Sequence, residues 1–402
     1  MKMKSKKTII LILGIVFAAI YFAIFIFNIC ITGDVNEKLA LLNAKYGLTE
    51  AETVDSALTE KKIDSLFFRE ISMTSVLNVL KPKKELIVKL NDENNVQEGP
   101  LKNIFVLKLR TDSDVKEIAK DYENIDLVAY AEPNYELEMN AESVELLEDT
   151  NEPKEALEAP EDAPKNLIVT VALIDSGIDA NHKDLKGRII QGWNFMNGSS
   201  ITDDNVGHGT HIAGIIARNS TFAKIMPLKF TDGKNGGRIS DLIKAIKFAS
   251  DKNVNIINLS LGLQEKSKSL EEATAYAFVK GAIVVAAAGN YNSENEYYPA
   301  AFNNVFAVAA LNKNREKLYQ SDFGKWVDYS TEAQDVLSSL PGDRYGYATG
   351  TSQATPFLTA KIADIIATNN IFDSPRINRE LRKASRIINK GEFSGMLGRE
   401  LL

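Results

Sequence analysis

The sequence predicts an α/β fold: a parallel central sheet with helices on both faces, preceded by a transmembrane helix and a small α+β domain. Three observations carry this. Short runs apolar throughout recur at residues 169–175 (VTVALID), 223–230, 254–262, 282–289 and 305–311, and helical patterns lie between several of them, near 208–218, 240–252 and 268–280. Strands without polar alternation belong to a parallel sheet covered on two sides. A lysine-rich head runs into a long apolar stretch, and residues 85–138 hold two strand-like runs, then one helical pattern and a further extended segment.

The first 33 residues read as a cytoplasmic basic head and a transmembrane signal-anchor. Lys2, Lys4, Lys6 and Lys7 precede 19 apolar or small residues at 9–27, about 28 Å of helix, close to the apolar thickness of a bilayer. The run is longer than the apolar part of a cleaved signal peptide, and no small-x-small site follows it. Asp34 and Glu37 lie just beyond. Lysines before the span place the N-terminus in the cytoplasm and the rest outside the membrane. Phe27, Asn28 and Ile29 are too large for a lipid-modification site at Cys30, the only cysteine, which also excludes a disulfide framework.

Residues 34–84 are expected to be a helical extension, with Ile63, Leu66, Phe67 and Ile71 at helical spacing. Residues 85–140 form the α+β domain: strands at 85–90 and 104–110, a helix within 112–124 and an extended segment at 125–137. Residues 141–165 hold nine acidic groups, three prolines and no aromatic residue, a composition that cannot bury enough surface to offset its ordering entropy. They read as a flexible linker open to cleavage. Residues 166–402 form the large domain, closing with helices at 355–368 and 375–388. Arg376, Arg379, Arg382, Lys383 and Arg386 are expected on the solvated face of the last one.

The formal charge of −7 and isoelectric point near 5.3 argue against a nucleic-acid binder. The charge is uneven: +4 in residues 1–7, −7 in 8–140, −7 in 141–165 and +3 in 166–402.

The chain has three histidines, His182, His208 and His211. His208 and His211 sit in GHGTHIAG, opening a helix. Asp175 ends the first buried strand in LIDSGID, Ser352 lies in ATGTSQATP at a helix N-terminus, and Asn290 follows a buried strand in AAAGN. Serine, histidine and aspartate are the parts of an acyl-transfer site, with free helix N–H groups beside the serine. A rival reading is a metal hydrolase using His208, His211 and Asp203 or Asp204, although the glutamate of an HExxH helix is missing.

In order, DSGID, GHGTHIAG, SLG, AAGN and GTSxATP resemble the subtilisin-like serine proteases (subtilases) over about residues 166–390. The resemblance implies a serine endopeptidase with Ser352 as nucleophile, His208 as base and Asp175 as its orienting carboxylate. Asn290 and the Ser352 N–H would form the oxyanion hole, leaving His182 and His211 structural. It implies a peptide or protein substrate held as an extended strand between Asn235-Gly236-Gly237 and Ser260-Leu261-Gly262, with Gly289 flanking the primary specificity pocket. Tyr297 stands where a glycine is frequent and makes that pocket shallower; Glu294 and Glu296 favour a basic side chain there. Gln353 replaces a usual methionine and Phe357 a common histidine. No cofactor is required: Asp184 matches one calcium ligand, but its loop partners are absent, so calcium is in doubt and no metal site is assigned.

Residues 85–140 resemble the family's inhibitory propeptide, making the chain its own intramolecular inhibitor. The expectation is an autoinhibited zymogen at the cell membrane, catalytic domain outside, released if cleavage separates it from the anchor. Two alternatives stay open: a dedicated processing protease for a secreted peptide precursor, and a non-catalytic membrane-tethered binding module of the same fold.

Overall fold

The computed structural model describes residues 35–53, 83–91, 101, 103–137, 145–146, 168–233, 237–388 and 391–402. The expected span at 9–27, Ile63 to Ile71, most of the linker and Gly236 lie outside them. Among the described residues no helix is long and apolar enough to cross a membrane. The chain divides into two compact units, Met1–Asn134 and Tyr135–Leu402.

In the first unit, helix α1 (Val35–Lys45) ends at Gly47 and strand β1 (Leu48–Thr53) follows. Next come β2 (Lys83–Leu90), β3 (Ile104–Arg110), helix α2 (Val115–Glu123) and β4 (Val128–Pro133). The sheet order is β1-β3-β2-β4, antiparallel throughout. The Asp114 side chain caps α2, accepting from the Lys116 and Glu117 N–H groups. Phe105, Leu107, Leu109, Ile118 and Tyr122 make the core, and buried Tyr122 donates its hydroxyl proton to Asn43 Oδ1 at 2.6 Å. The expected α+β pattern of residues 85–134 is present. The helical reading fails at 48–53, where helix formers are recruited to a sheet edge: Leu48 is buried, and Lys108 pairs with Glu50 at 3.1 Å and Glu52 at 2.5 Å. Edge pairing outweighs local propensity here.

The second unit opens with β5 (Glu145–Leu146), then β6 (Val169–Asp175), β7 (Trp193–Asn194), α3 (His208–Asn219), β8 (Ala223–Lys229), α4 (Ile239–Asp251) and β9 (Ile256–Leu259). It continues through α5 (Lys268–Val279), β10 (Ile283–Ala287), β11 (Val305–Leu311), β12 (Tyr329–Glu332), β13 (Val336–Leu340) and β14 (Arg344–Ala348). Helices α6 (Thr351–Asn369) and α7 (Ser374–Lys383) lead to β15 (Ser385–Ile387) and β16 (Arg399–Leu401). The main sheet runs β15-β16-β12-β11-β10-β9-β6-β8-β7; only the β15–β16 pair is antiparallel. Val169, Val171 and Leu173 meet Ile212 and Ile216 of α3 and Leu358 and Ile362 of α6 in one cluster. The pleat turns Ala172 and Ile174 the other way, and both are fully buried, so both faces are covered.

The apolar runs thus became parallel strands as expected. The final helix is shorter than expected, ending at Lys383. Arg386 leaves it for β15 and pairs with Glu400, which also takes Arg315. A third sheet, β13-β14-β5, is antiparallel.

Candidate active site

The strand ends and two helix N-termini build the site. Asp175 closes β6 and is 1 % exposed. Its Oδ1 accepts the Ser176 N–H at 2.7 Å, and both carboxylate oxygens face His208 Nδ1, at 2.8 and 3.0 Å. A carboxylate only accepts, so Nδ1 carries the proton and the Nε2 lone pair is the basic one.

His208 opens α3 because the turn before it is held from several sides. Gly207 precedes it at φ 98°, a conformation suited to glycine. Buried Asp204 accepts five hydrogen bonds, from the Val206, Gly207 and Thr210 N–H groups and the Ser176 and Thr210 hydroxyls. Sequence reasoning missed this positioning role; the acid four residues before the histidine, at the mouth of a helix, was the available signal.

Ser352 is the second residue of α6, where backbone N–H groups have no partner within the helix. Its Oγ donates to Ser260 O at 3.2 Å, and Ser260 Oγ donates to Ser352 O at 2.9 Å. Beneath them Asn258 Nδ2 donates to Ser260 Oγ at 3.1 Å and Thr359 Oγ1 to Asn258 Oδ1 at 2.7 Å, a buried support that no motif announced. Asn290 Oδ1 accepts the Thr351 N–H and hydroxyl, each at 3.0 Å. Because that N–H can only donate, the amide orientation is fixed and Nδ2 lies on the opposite side, as an anion donor requires. Ser260, Leu261, Gly289, Asn290 and Tyr297 line a pocket with Thr351 and Ser352. Gly262 touches the Tyr297 ring.

Gly237 sits on the edge leading from the Asp175 strand: its N–H donates to Phe230 O, and the Phe230 N–H donates to Asp175 O. Its carbonyl accepts the Leu137 N–H at 2.6 Å, Ile239 N–H donates to Tyr135 O at 3.0 Å, and Glu136 pairs antiparallel with Arg238. Strand β5 pairs with Gly346 and Tyr347 of β14, the strand that leads to Ser352.

The metal-hydrolase reading finds no support among the described residues, which contain no cluster of metal-ligating side chains. His208 Nδ1 is occupied by Asp175 and Asp204 by its five donors. Buried His211 has Nε2 at 3.1 Å from the Val336 and Gly346 carbonyls. Burial lowers its pKa to about 4, keeping it neutral. His182 is structural too: Nδ1 accepts the Asp184 N–H and Nε2 meets Arg344 O at 3.1 Å.

Calcium fits poorly. Asp184 Oδ2 accepts from Arg218 at 3.2 Å and Ser339 Oγ at 2.9 Å, and Oδ1 accepts from Tyr345 Oη at 2.9 Å. A guanidinium, anchored also to Leu337 O at 2.8 Å, and two hydroxyls take both oxygens, so the cation here belongs to the chain. EDTA is therefore expected to leave the urea midpoint unchanged, whereas Arg218→Ala lowers stability by about 1–3 kcal/mol by leaving a half-buried carboxylate without its charged partner. Urea titration with and without EDTA checks both.

The expected basic preference is not supported by the placement of the two glutamates. Glu296 accepts the Tyr298 hydroxyl and is exposed, and Glu294 is exposed. The nearest buried acid is Asp322, which accepts the Tyr291 and Ser293 N–H groups at 2.9 and 2.8 Å. Burial pushes its pKa up to about 6 from 3.8. Raising pH through that window ionises the unfolded form first and so costs stability, with the full cost present above about 6. Asp322→Asn should thus stabilise the fold at pH 8 by about 2–3 kcal/mol and change little below pH 4. Urea titrations at the two pH values measure the difference.

This is the fold and site of a serine protease, and the chain belongs to the subtilase family: residues 168–397 match peptidase S8. It is 33 % identical over 294 residues to a thermophilic serine proteinase of Bacillus sp. (strain AK1), covering 67 % of this chain and 69 % of that protein. Thermitase of Thermoactinomyces vulgaris is 36 % identical over 208 residues, covering 49 % and 74 %. A cold-adapted subtilisin-like serine proteinase shares the fold at TM-score 0.56 and 23 % identity, over 65 % of this chain and 96 % of that one. A lanthipeptide protease does so at 0.55 and 25 %, over 58 % and 85 %.

Proposed function

We propose that the protein is made as a membrane-anchored, autoinhibited zymogen whose Asp175, His208 and Ser352 hydrolyse peptide bonds, with Asn290 in the oxyanion hole. The paired Asp175–His208 contact, which leaves Nε2 basic, is the observation that carries the chemistry. A substrate strand between Gly237 and Ser260 competes for the Ser260 carbonyl and frees the Ser352 hydroxyl. Oγ attacks the substrate carbonyl carbon while Nε2 takes its proton, and Asp175 stabilises the resulting imidazolium. Asn290 Nδ2 and the Ser352 N–H receive the oxyanion. Collapse expels the amine, protonated by His208, and water then releases the acyl group by the same steps.

Autoinhibition is supported by residues 135–137, which pair with the Gly237–Ile239 edge in the manner of an extended peptide. From the bonds there and again at β5 we infer that self-processing falls between Leu137 and Glu145, at the front of the expected linker. In this reading Met1–Asn134 contains the propeptide, and residues 9–27 hold the zymogen in the membrane with the protease outside. A dedicated processing role for a peptide precursor is the second reading, favoured by the likeness to a lanthipeptide protease. Labelling by a serine-directed phosphonate at Ser352, together with N-terminal sequencing of the mature chain, tests the proposal. No labelling, or a chain left intact between 137 and 145, refutes the catalytic or the zymogen part respectively.

A further inference from the structure

We infer that Tyr297 closes the primary specificity pocket and restricts this protease to substrates with a glycine, alanine or serine immediately before the scissile bond. The inference rests on the catalytic assignment above and adds the substrate class. The pocket beside Ser352 and Asn290 holds only about 10 Å³, the room of about one water molecule. That admits a hydrogen, a methyl or a hydroxymethyl group; a leucine, phenylalanine or lysine side chain has nowhere to go.

The ring fills the rest of the slot. Tyr297 is 3 % exposed and lies between two backbone walls, both glycine. A Cβ on Gly262 would stand 2.4 Å from Tyr297 Cε1, and one on Gly289 would stand 2.9 Å from its Cγ. Only glycine at both positions leaves a gap wide enough for an aromatic ring, so the walls and the plug fit as a set. The backbone around the plug is fixed as well. Tyr298 and Leu263 exchange N–H···O bonds at 2.8 and 2.9 Å, and the Ala301 N–H donates to Tyr297 O at 2.9 Å. Tyr291 covers the ring at a centroid distance of 5.9 Å. Displacing it would open the slot toward Asp322 Oδ2, which a Gly289 Cβ would meet at 2.2 Å. A ring that moved aside would therefore favour lysine or arginine, the opposite outcome.

A peptide library varied at the residue before the cleaved bond tests this on the mature enzyme. The wild type should cleave after glycine, alanine or serine at least about tenfold better in kcat/KM than after leucine, phenylalanine, lysine or arginine, the discrimination a few methylene groups can supply. Tyr297→Gly should raise cleavage after large side chains by about 10- to 100-fold, lysine and arginine included because the opened slot faces Asp322, while Tyr297→Phe keeps the wild-type profile. A wild-type preference for any large side chain, or a Tyr297→Gly profile unchanged from wild type, overturns the inference. The wild-type profile decides the matter even if the glycine variant does not fold. Labelling by a small alkyl fluorophosphonate, which needs no side-chain pocket, separates the two failures. A labelled enzyme with the wrong profile sinks the pocket inference alone, whereas an enzyme neither labelled nor active sinks the catalytic assignment and this inference together.

Discussion

Ser352→Ala is expected to lower kcat by about 10⁶-fold, a magnitude known from this family rather than derived from the geometry here. The variant keeps His208, Asp175 and Asn290 but has no atom to form the acyl bond. Self-processing should fail with it, so the chain should accumulate uncut between Leu137 and Glu145. Turnover of a peptide and intact mass measure the two effects separately. Normal self-processing together with normal peptide cleavage would mean that another residue is the nucleophile. Loss of the Oγ–H bond to Ser260 O is a small perturbation beside this, and a thermal melt within a few degrees of wild type would exclude misfolding as the cause.

Asn290→Ala carries the second largest effect, a fall of about 10²–10³ in kcat, again a magnitude known from this family. KM should change little, because the amide meets charge that develops only in the transition state. The geometry adds a stability cost: the Thr351 N–H and hydroxyl both lose their acceptor, worth about 1–3 kcal/mol if water does not replace it. A variant with unchanged kcat would remove Asn290 from the oxyanion hole. One with a raised KM alone would assign it to substrate binding.

The parallel strands were legible because burial on both faces leaves a compositional trace that needs no partner to interpret. Asp175, Asn290 and Ser352 sit at strand ends or a helix start that the pattern marks, but their membership of one site was legible only through the resemblance of their motifs. The hairpin β13–β14 was not legible. Its strands VLSSL and RYGYA mix serine, tyrosine and arginine, and Ser338 is fully buried with its hydroxyl donating to His211 O. Strand β1 reads as helix until Lys108 is seen across from its glutamates. Asn258 acts through a buried hydrogen bond from Thr359, far along the chain, and such a partner has no local signature, whereas four of Asp204's five bonds come from within six residues. Tyr297 stood out as a bulky residue at a glycine position, but that it fills the slot follows from the two facing glycines, which only the fold brings together.

The Arg218–Asp184 pair has a consequence in mass action. Stability drawn from a dissolved ion grows as the logarithm of that ion's concentration and vanishes on dilution. A guanidinium fixed to the chain has no free concentration, so this corner of the fold is equally firm in a medium rich or poor in divalent cations. It also gains nothing from the rich one. At this pair, stability is written into the sequence and does not depend on the supply of divalent cations.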